Sequence, residues 1–348
     1  LSKDQNFEEN DDELFEHHRF VADEGQGPLR IDKFLNNLLG NTSRNRIQEA
    51  AKAGSVRVNE QKVKSNYKVK PGDLVQIVLA HPPREIELIA EDIPLNFVFE
   101  DEHLCIINKE AGMVVHPAYG NYQGTLVNAV LHHIQQLPEG STAERPGLVH
   151  RLDKGTSGIM VLALNDFAMT HLSNQFFERT TDRLYNALVW GDVKNDTGTV
   201  EGHIGRSLQD RKQMAVFADG SQGKHAITHY RVLKRFGFVT LVECKLETGR
   251  THQIRVHMKY IGHPVFGDDR YGGDRILKGL NSSKYKQFVQ NCFNIMPHQA
   301  LHAKTLGITH PVTGERLHFD SDLPADMQEV IDKWTTYSKA LSSDLPHN

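Results

Sequence analysis

Three cysteines in 348 residues are too few and too scattered for a disulfide framework. Cys105, Cys244 and Cys292 lie far apart, and two of them sit within apolar or alternating runs, so they read as buried free thiols. That fits a reducing cytoplasm. No apolar run approaches membrane-spanning length and no secretory signal pattern opens the chain, so no membrane partner is expected. Beginning at Leu1 rather than Met, the sequence reads as a trimmed chain or fragment. The 20 histidines form no HExxH or Cys/His ligand spacing, so no metal is expected.

What is present describes an ordinary soluble protein, with 39% hydrophobic and 24% charged residues, long enough for more than one domain. The net charge of −4 hides a segregation. Residues 1–27 hold nine acids and two bases, whereas residues 28–80 hold ten bases and four acids. An acidic segment ahead of a basic module is an asymmetry that nucleic-acid binders show. Residues 1–27 have few apolar positions and read as a disordered tail.

Order is expected from Arg30. Ile31, Phe34, Leu35, Leu38 and Leu39 make one apolar helical stripe. Ser43 is placed to cap a second helix running to about Lys52, which Gly54 stops. Short strands are expected near Ser55–Val58, Gln61–Val63 and Leu74–Leu79, with a turn at Pro71-Gly72. A compact module with a positive face follows, its candidate RNA contacts being Arg30, Lys33, Arg44, Arg46, Lys52 and Arg57. The run Arg30-Ile31-Asp32-Lys33-Phe34-Leu35, then Ser43-Arg44, Gly54 to Asn59 and Lys70-Pro71-Gly72-Asp73 resembles the S4-like RNA-binding domain.

Residues 81–90, with His81-Pro82-Pro83-Arg84, read as a linker. Beyond them strands alternate with a few helices without βαβ regularity, so residues 91–335 are expected to form an α+β domain with a mostly antiparallel mixed sheet. Helices are expected at Thr125–Gln135, Asp166–Glu178 and, briefly, Ala325–Trp334. Residues 270–298 read as polar and irregular, and 336–348 as a tail.

The segment His150-Arg151-Leu152-Asp153-Lys154-Gly155-Thr156-Ser157-Gly158 organises this second domain. It sets one carboxylate between cations at the mouth of the apolar run 159–164, which reads as a buried strand. An acid flanked by Arg151 and Lys154 suits nucleophilic or electrostatic work better than proton donation, since nearby cations favour the charged form. Taken alone, Asp153 reads more readily as a surface loop residue paired with Arg151. Three further segments stand out: the alternating strand from Arg183 to Gly191 with Tyr185 near its start, the run from Thr248 to Met258, and the turn-rich loop His263 to Gly272. In the second of these, His252 and Arg255 are three apart beside Ile254.

Together with His298 to Ala303 and His310-Pro311, these motifs resemble the RNA pseudouridine synthases that modify large-subunit ribosomal RNA, in the D-type branch with an N-terminal S4-like domain. The resemblance spans about Arg30 to Met327. It departs at Glu110, where the family often has proline, and in a looser segment before Tyr185. It implies that Asp153 is the catalytic aspartate and that Tyr185 packs on the target uracil and takes part in removing its C5 proton. Arg255 would pair with the aspartate, Ile254 would line the uracil pocket, and Arg151 would fill the gap left by a flipped base. His116 is a further expected substrate contact, and Arg206, Arg211 and Lys212 a further basic run. The implied reaction is redox-neutral and needs no cofactor.

The implied partner is large-subunit ribosomal RNA or a pre-ribosomal particle, met by a monomer. Two alternatives stand beside it: the same isomerase acting on transfer RNA, and an assembly factor that binds RNA without chemistry. An N-glycosidase would want a second acid beside Asp153, which the sequence does not supply.

Overall fold

A computed structural model of the chain describes residues 15–39, 42–79, 88–117, 121–133, 147–210 and 213–343. The chain divides into two compact units, Leu1–Glu85 and Ile86–Asn348, and is α+β throughout. The linker prolines, the first fourteen residues and the last five lie outside the described residues.

In the first unit, strand β1 (Phe15–Val21) and the short β2 (Leu29–Arg30) precede helices α1 (Ile31–Leu38) and α2 (Arg44–Lys52). Strands β3 (Val56–Val58), β4 (Gln61–Lys62), β5 (Lys68–Val69) and β6 (Leu74–Leu79) follow. The sheet order is β1-β6-β3-β4. Ile31, Phe34 and Leu35 bury the expected stripe of α1, while Leu38, the last residue of the helix, stays half exposed. Ser43 caps α2 as expected, its hydroxyl accepting from Arg46 N–H.

One expectation is corrected here. Residues 15–21, assigned from composition to the disordered tail, pair antiparallel with β6 along its whole length. Partly buried Phe20 packs on the module core and Ala22 is buried in it. Composition missed this because two apolar anchors, Phe20 and Ala22, and one unpaired sheet edge suffice to order a strand whose middle residues, Glu16 to Arg19, are polar or charged.

The second unit opens with β7 (Phe97–Glu100), β8 (Leu104–Lys109), α3 (Leu126–His133), β9 (Ser157–Ala163) and α4 (Asp166–Glu178). It continues with β10 (Asp182–Trp190), β11 (Thr197–Arg206), β12 (Met214–Phe217), β13 (Lys224–Arg235) and β14 (Val239–Leu246). Helices α5 (Gln253–Tyr260) and α6 (Ser283–Ile295), strands β15 (Leu301–Thr309) and β16 (Arg316–Asp320), and helix α7 (Ala325–Ser343) complete it. The sheet runs β12-β11-β13-β14-β10-β15-β9-β8-β7, with β16 beside β15. Every pair is antiparallel except β15 with β9, which are parallel at His302–Ala303 against Ser157–Gly158.

The continuous apolar run of β9 has a plain cause. Met160 and Leu162 enter one core while Ile159, Val161 and Ala163 enter the core on the other face, so both sides of the strand are covered. At its start Gly158 has φ +115°, and a Cβ there would collide with the Ala303 backbone. Only glycine lets the Asp153 loop join the sheet at this point.

Two more expectations need correction. The supposedly irregular stretch 270–298 contains α6, capped by the Ser282 hydroxyl and burying Tyr285, Val289 and Cys292. This stripe is narrow and flanked by polar residues, which hid it. Its partner α7 runs nineteen residues to Ser343 rather than stopping at Trp334, because Tyr337 extends the apolar face against Phe288 and Tyr285. Trp190, Phe266, Phe293 and Trp334 complete that aromatic cluster. The three cysteines are free and buried, and burial pushes each thiol up to about 12.

Two buried histidines couple this fold to pH. The His302 ring nitrogens lie 2.9 Å from the Ser157 and Ser321 hydroxyls, and His257 Nδ1 lies 2.9 Å from the Thr228 hydroxyl. Burial pulls both rings down to about 4, against about 6.5 in an unfolded chain. Between those values the unfolded chain binds more protons, so stability rises with pH. The thermal midpoint should therefore drop as pH is lowered from 7 to 5, and His302→Gln should shallow that drop. A midpoint independent of pH across this window would contradict neutral buried rings.

Candidate active site

The site is assembled from the loop before β9, the turn and loop on either side of α5, α5 itself and strand β10. The loop from His150 to Thr156 enters β9. Its acid, Asp153, is 17% exposed, and its neighbours in sequence are not its partners. Lys154 donates to the Asn121 side chain instead, and Arg151 projects into solvent at the rim. The cation that meets Asp153 comes from α5: Arg255 Nη1 donates to Asp153 Oδ2 at 2.9 Å.

Arg255 is itself 5% exposed and faces a second carboxylate. Asp268, fully buried, accepts from Arg255 Nε at 2.7 Å and Nη2 at 2.8 Å. The same carboxylate accepts from the backbone N–H groups of Arg270 and Tyr271, which folds the loop after α5 around it. Burial alone would lower the Arg255 pKa, but the hydrogen bonds and charges of Asp268 and Asp153 outweigh it and hold the guanidinium firmly protonated. The arginine face lies against Tyr271, 5.1 Å from its ring centre.

His252 reaches the same carboxylate, with Nε2 3.8 Å from Asp153 Oδ1. It does so from a left-handed backbone (φ +57°) just before α5 rather than from within the helix, so the three-residue spacing to Arg255 reflects a turn. Its Nδ1 lies 2.8 Å from the Tyr271 hydroxyl. Burial pulls His252 down to about 4 against the opposing pull of Asp153, which leaves it neutral near pH 7. Gln253 locks the whole turn. Its carbonyl oxygen accepts from the Thr248 hydroxyl and Arg250 N–H, and its amide donates to Ile227 O and the Thr228 hydroxyl.

Tyr185, on β10, is nearly buried and forms a wall beside Asp153. A register shift against β15 falls between Leu184 and Tyr185, with Lys304 of β15 as the extra residue, while β10 stays regular against β14. Ile254, Leu246 and Leu301 line the same hollow as Asp153 and Tyr185. Beside it a cleft of about 380 Å³ runs past Arg151 toward Phe177 and Arg183.

His116 does not join them. Its Nδ1 lies 2.8 Å from Pro117 O, and it lines neither hollow beside Asp153. Two residues without an assigned role in the sequence prove central to the geometry. Asp268 lay in a loop noted only for its turns, although an acid in a glycine-bounded loop soon after the arginine helix was a usable signal. Lys109, buried at the end of an apolar strand, donates to the carbonyls of Glu110, Met113 and Lys154 and so ties the Asp153 loop to β8. Among the described residues no group of three or more His, Cys, Asp or Glu gathers to hold a metal ion, and no helix is long and apolar enough to cross a membrane.

In the first unit, Arg30 and Arg44 both donate to Asp32, which is fully buried, and Gln48 completes its shell. These two arginines hold the module together and present only part of their guanidinium groups outward. Lys33, Arg46 and Lys52 are exposed, and Arg57 is half-buried. Arg206 ends β11 on the surface, while Arg211 and Lys212 lie outside the described residues.

Residues 103–260 match the family model of RNA pseudouridylate synthase and residues 29–75 that of the S4 domain. An uncharacterized RNA pseudouridine synthase of Chlorobaculum parvum is 46% identical over 91% of this chain and 98% of its own length. The chain belongs to the RNA pseudouridine synthases. The synthase is also similar to the ribosomal large subunit pseudouridine synthase D of Zymomonas mobilis, at 42% identity over 86% of this chain and 92% of that one. Among solved structures, human RNA pseudouridylate synthase domain containing 4 is 25% identical, with a TM-score of 0.51, covering 69% of the synthase and 93% of that chain.

The synthase depends on Asp268 in a way that can be measured. Asp268→Asn leaves the buried Arg255 with a single carboxylate, and breaking a buried pair from one side costs about 3–5 kcal/mol. Denaturant unfolding should show a loss of that size, and a loss near zero would mean that the pair carries no net stability.

Proposed function

We propose that the synthase isomerises uridine to pseudouridine in large-subunit ribosomal RNA, and that Asp153 is the group that acts on the ribose. The observation that carries this reading is the pairing of Asp153 with a buried arginine at the mouth of an apolar and aromatic hollow. The reaction breaks the N1–C1′ bond, turns the uracil and joins C5 to C1′, with no net redox change. A carboxylate placed there can attack C1′, stabilise its positive charge or take the 2′ proton. Arg255 aims it, and the firm protonation of Arg255 keeps a positive charge beside it. A base flipped from its stack needs apolar walls around one polar edge, which Tyr185 and Ile254 supply.

Tyr185 serves as a wall rather than a base in this reading. Burial raises its pKa, Arg183 opposes that rise and Asp153 adds to it, so near neutral pH it is a phenol. Arg151, exposed at the rim, is placed to occupy the space that a flipped base vacates. The ribosomal substrate is carried over from relatives such as the Zymomonas mobilis enzyme. A cytoplasmic location belongs to the same reading, supported by three unpaired buried thiols.

The test is tritium release from RNA labelled at uridine C5. The wild-type chain should release it from large-subunit ribosomal RNA and not from transfer RNA, while Asp153→Asn binds the RNA without release. Full turnover by Asp153→Asn would remove Asp153 from the chemistry, and release from transfer RNA alone would move the substrate.

We assign the outward cations of the S4 module to phosphate contacts. Replacing Lys33, Arg46 and Lys52 together with alanine should reduce the salt dependence of binding by about 2–3 in the log–log slope, through lost counterion release. An unchanged slope would take this face off the RNA.

A further inference from the structure

Arg183 is 8% exposed, and its Nε is buried without a hydrogen-bond partner. Among the described residues no carboxylate lies within ion-pair distance of it, which is unusual for a buried cation. Its head is held on one side by stacking: the guanidinium lies over Phe176, 5.5 Å from the ring centre, and Phe176 stacks on His150 at 4.5 Å. His150 is held well below the ordinary imidazole range by burial and then by the charge of Arg183, so the stack holds one positive charge.

The head group faces the cleft. Arg183 and Tyr185 are two apart on β10 and both line that cleft, whereas Leu184 between them does not. Side chains two apart on a strand share a face, about 6.6 Å from each other. Gly249 lies over Nη1, close enough that an added Cβ would sit 3.0 Å from it, and glycine there leaves the head open. Further along the same cleft stands Phe177, 86% exposed, with Arg179 beside it. An aromatic ring so exposed beside a cation is the combination that single-stranded RNA uses for stacking and phosphate contact.

We infer that Arg183 is the socket for a phosphate of the RNA strand next to the flipped uridine, and that Phe177 is the shelf on which the neighbouring base stacks. This rests on the RNA-modifying reading above and adds to it the path of the strand. The uracil enters the hollow at Asp153 and Tyr185. Its flanking phosphate meets the uncompensated guanidinium one step along β10, and the next base lies on the end of α4. The anion completes a site that the protein leaves one charge short.

The experiment measures equilibrium binding of the full chain to a large-subunit ribosomal RNA transcript across a potassium chloride series. Arg183→Met keeps an unbranched apolar side chain at this position while removing charge and donors. It should lower the magnitude of the log–log slope by about 0.7, the value for one single-strand phosphate, and Arg183→Lys should restore it. Phe177→Ala, at an exposed position that folding does not need, should weaken binding about tenfold with the slope unchanged. A wild-type slope in Arg183→Met would overturn the socket while leaving the RNA reading intact. Wild-type affinity in Phe177→Ala would overturn the shelf, even if Arg183→Met failed to fold. Binding by the wild-type chain without any salt dependence would overturn both this inference and the RNA reading.

Discussion

A single guanidinium between two carboxylates holds the active centre together. Arg255 reaches Asp268 through two nitrogens and Asp153 through a third, and so joins the loop before β9 to the loop after α5. The two acids are not equivalent. Asp268 is sealed and also fastens its own backbone, whereas Asp153 keeps an open side toward the cleft. An ion this deeply buried is tolerable only when it is paired and well bonded. The stiff partner therefore fixes the arginine, and the arginine fixes Asp153. Gln253, with four bonds, sets the helix start from which Arg255 projects.

Much of this was legible in the residues because local patterns and tertiary structure agree. The α2 cap at Ser43, helix α4 and the doubly buried strand β9 each announce themselves by chemistry that acts within a few positions. Asp153, Tyr185, Ile254 and Arg255 stood out as members of long motifs, and the fold gathers them around one hollow. The partners of those residues were less legible. Proximity in sequence suggested Arg151 and Lys154 as the cations beside Asp153, while the observed partner is Arg255, 102 positions away, the pairing that only the family resemblance implied. Strand β1 and helix α6 depend on a sheet edge and on a facing helix, neither of which leaves a strong mark in the segment itself. His116 illustrates the converse, a polar residue in a suggestive loop whose ring turns to its own backbone.

Two kinds of cation stand apart in this chain. Arg255, Arg30 and Arg44 spend their charge on buried acids and define internal geometry. Arg183 is buried without such an acid, and Lys33, Arg46 and Lys52 face outward. Net charge and even local charge density cannot separate the two kinds, since the difference is whether a carboxylate lies within reach.

The aromatic cluster between α6 and α7 also determines what light can report. Both tryptophans of the chain lie in it, fully buried and 6.4 Å apart at their ring centres. Intrinsic indole emission therefore watches the packing of α7 against the far part of the second unit and is blind to the first, whose described aromatic residues are phenylalanine and Tyr67. A two-step unfolding of this chain would look like one step to a fluorimeter tuned to tryptophan, and the missing step would be that of the RNA-gripping module.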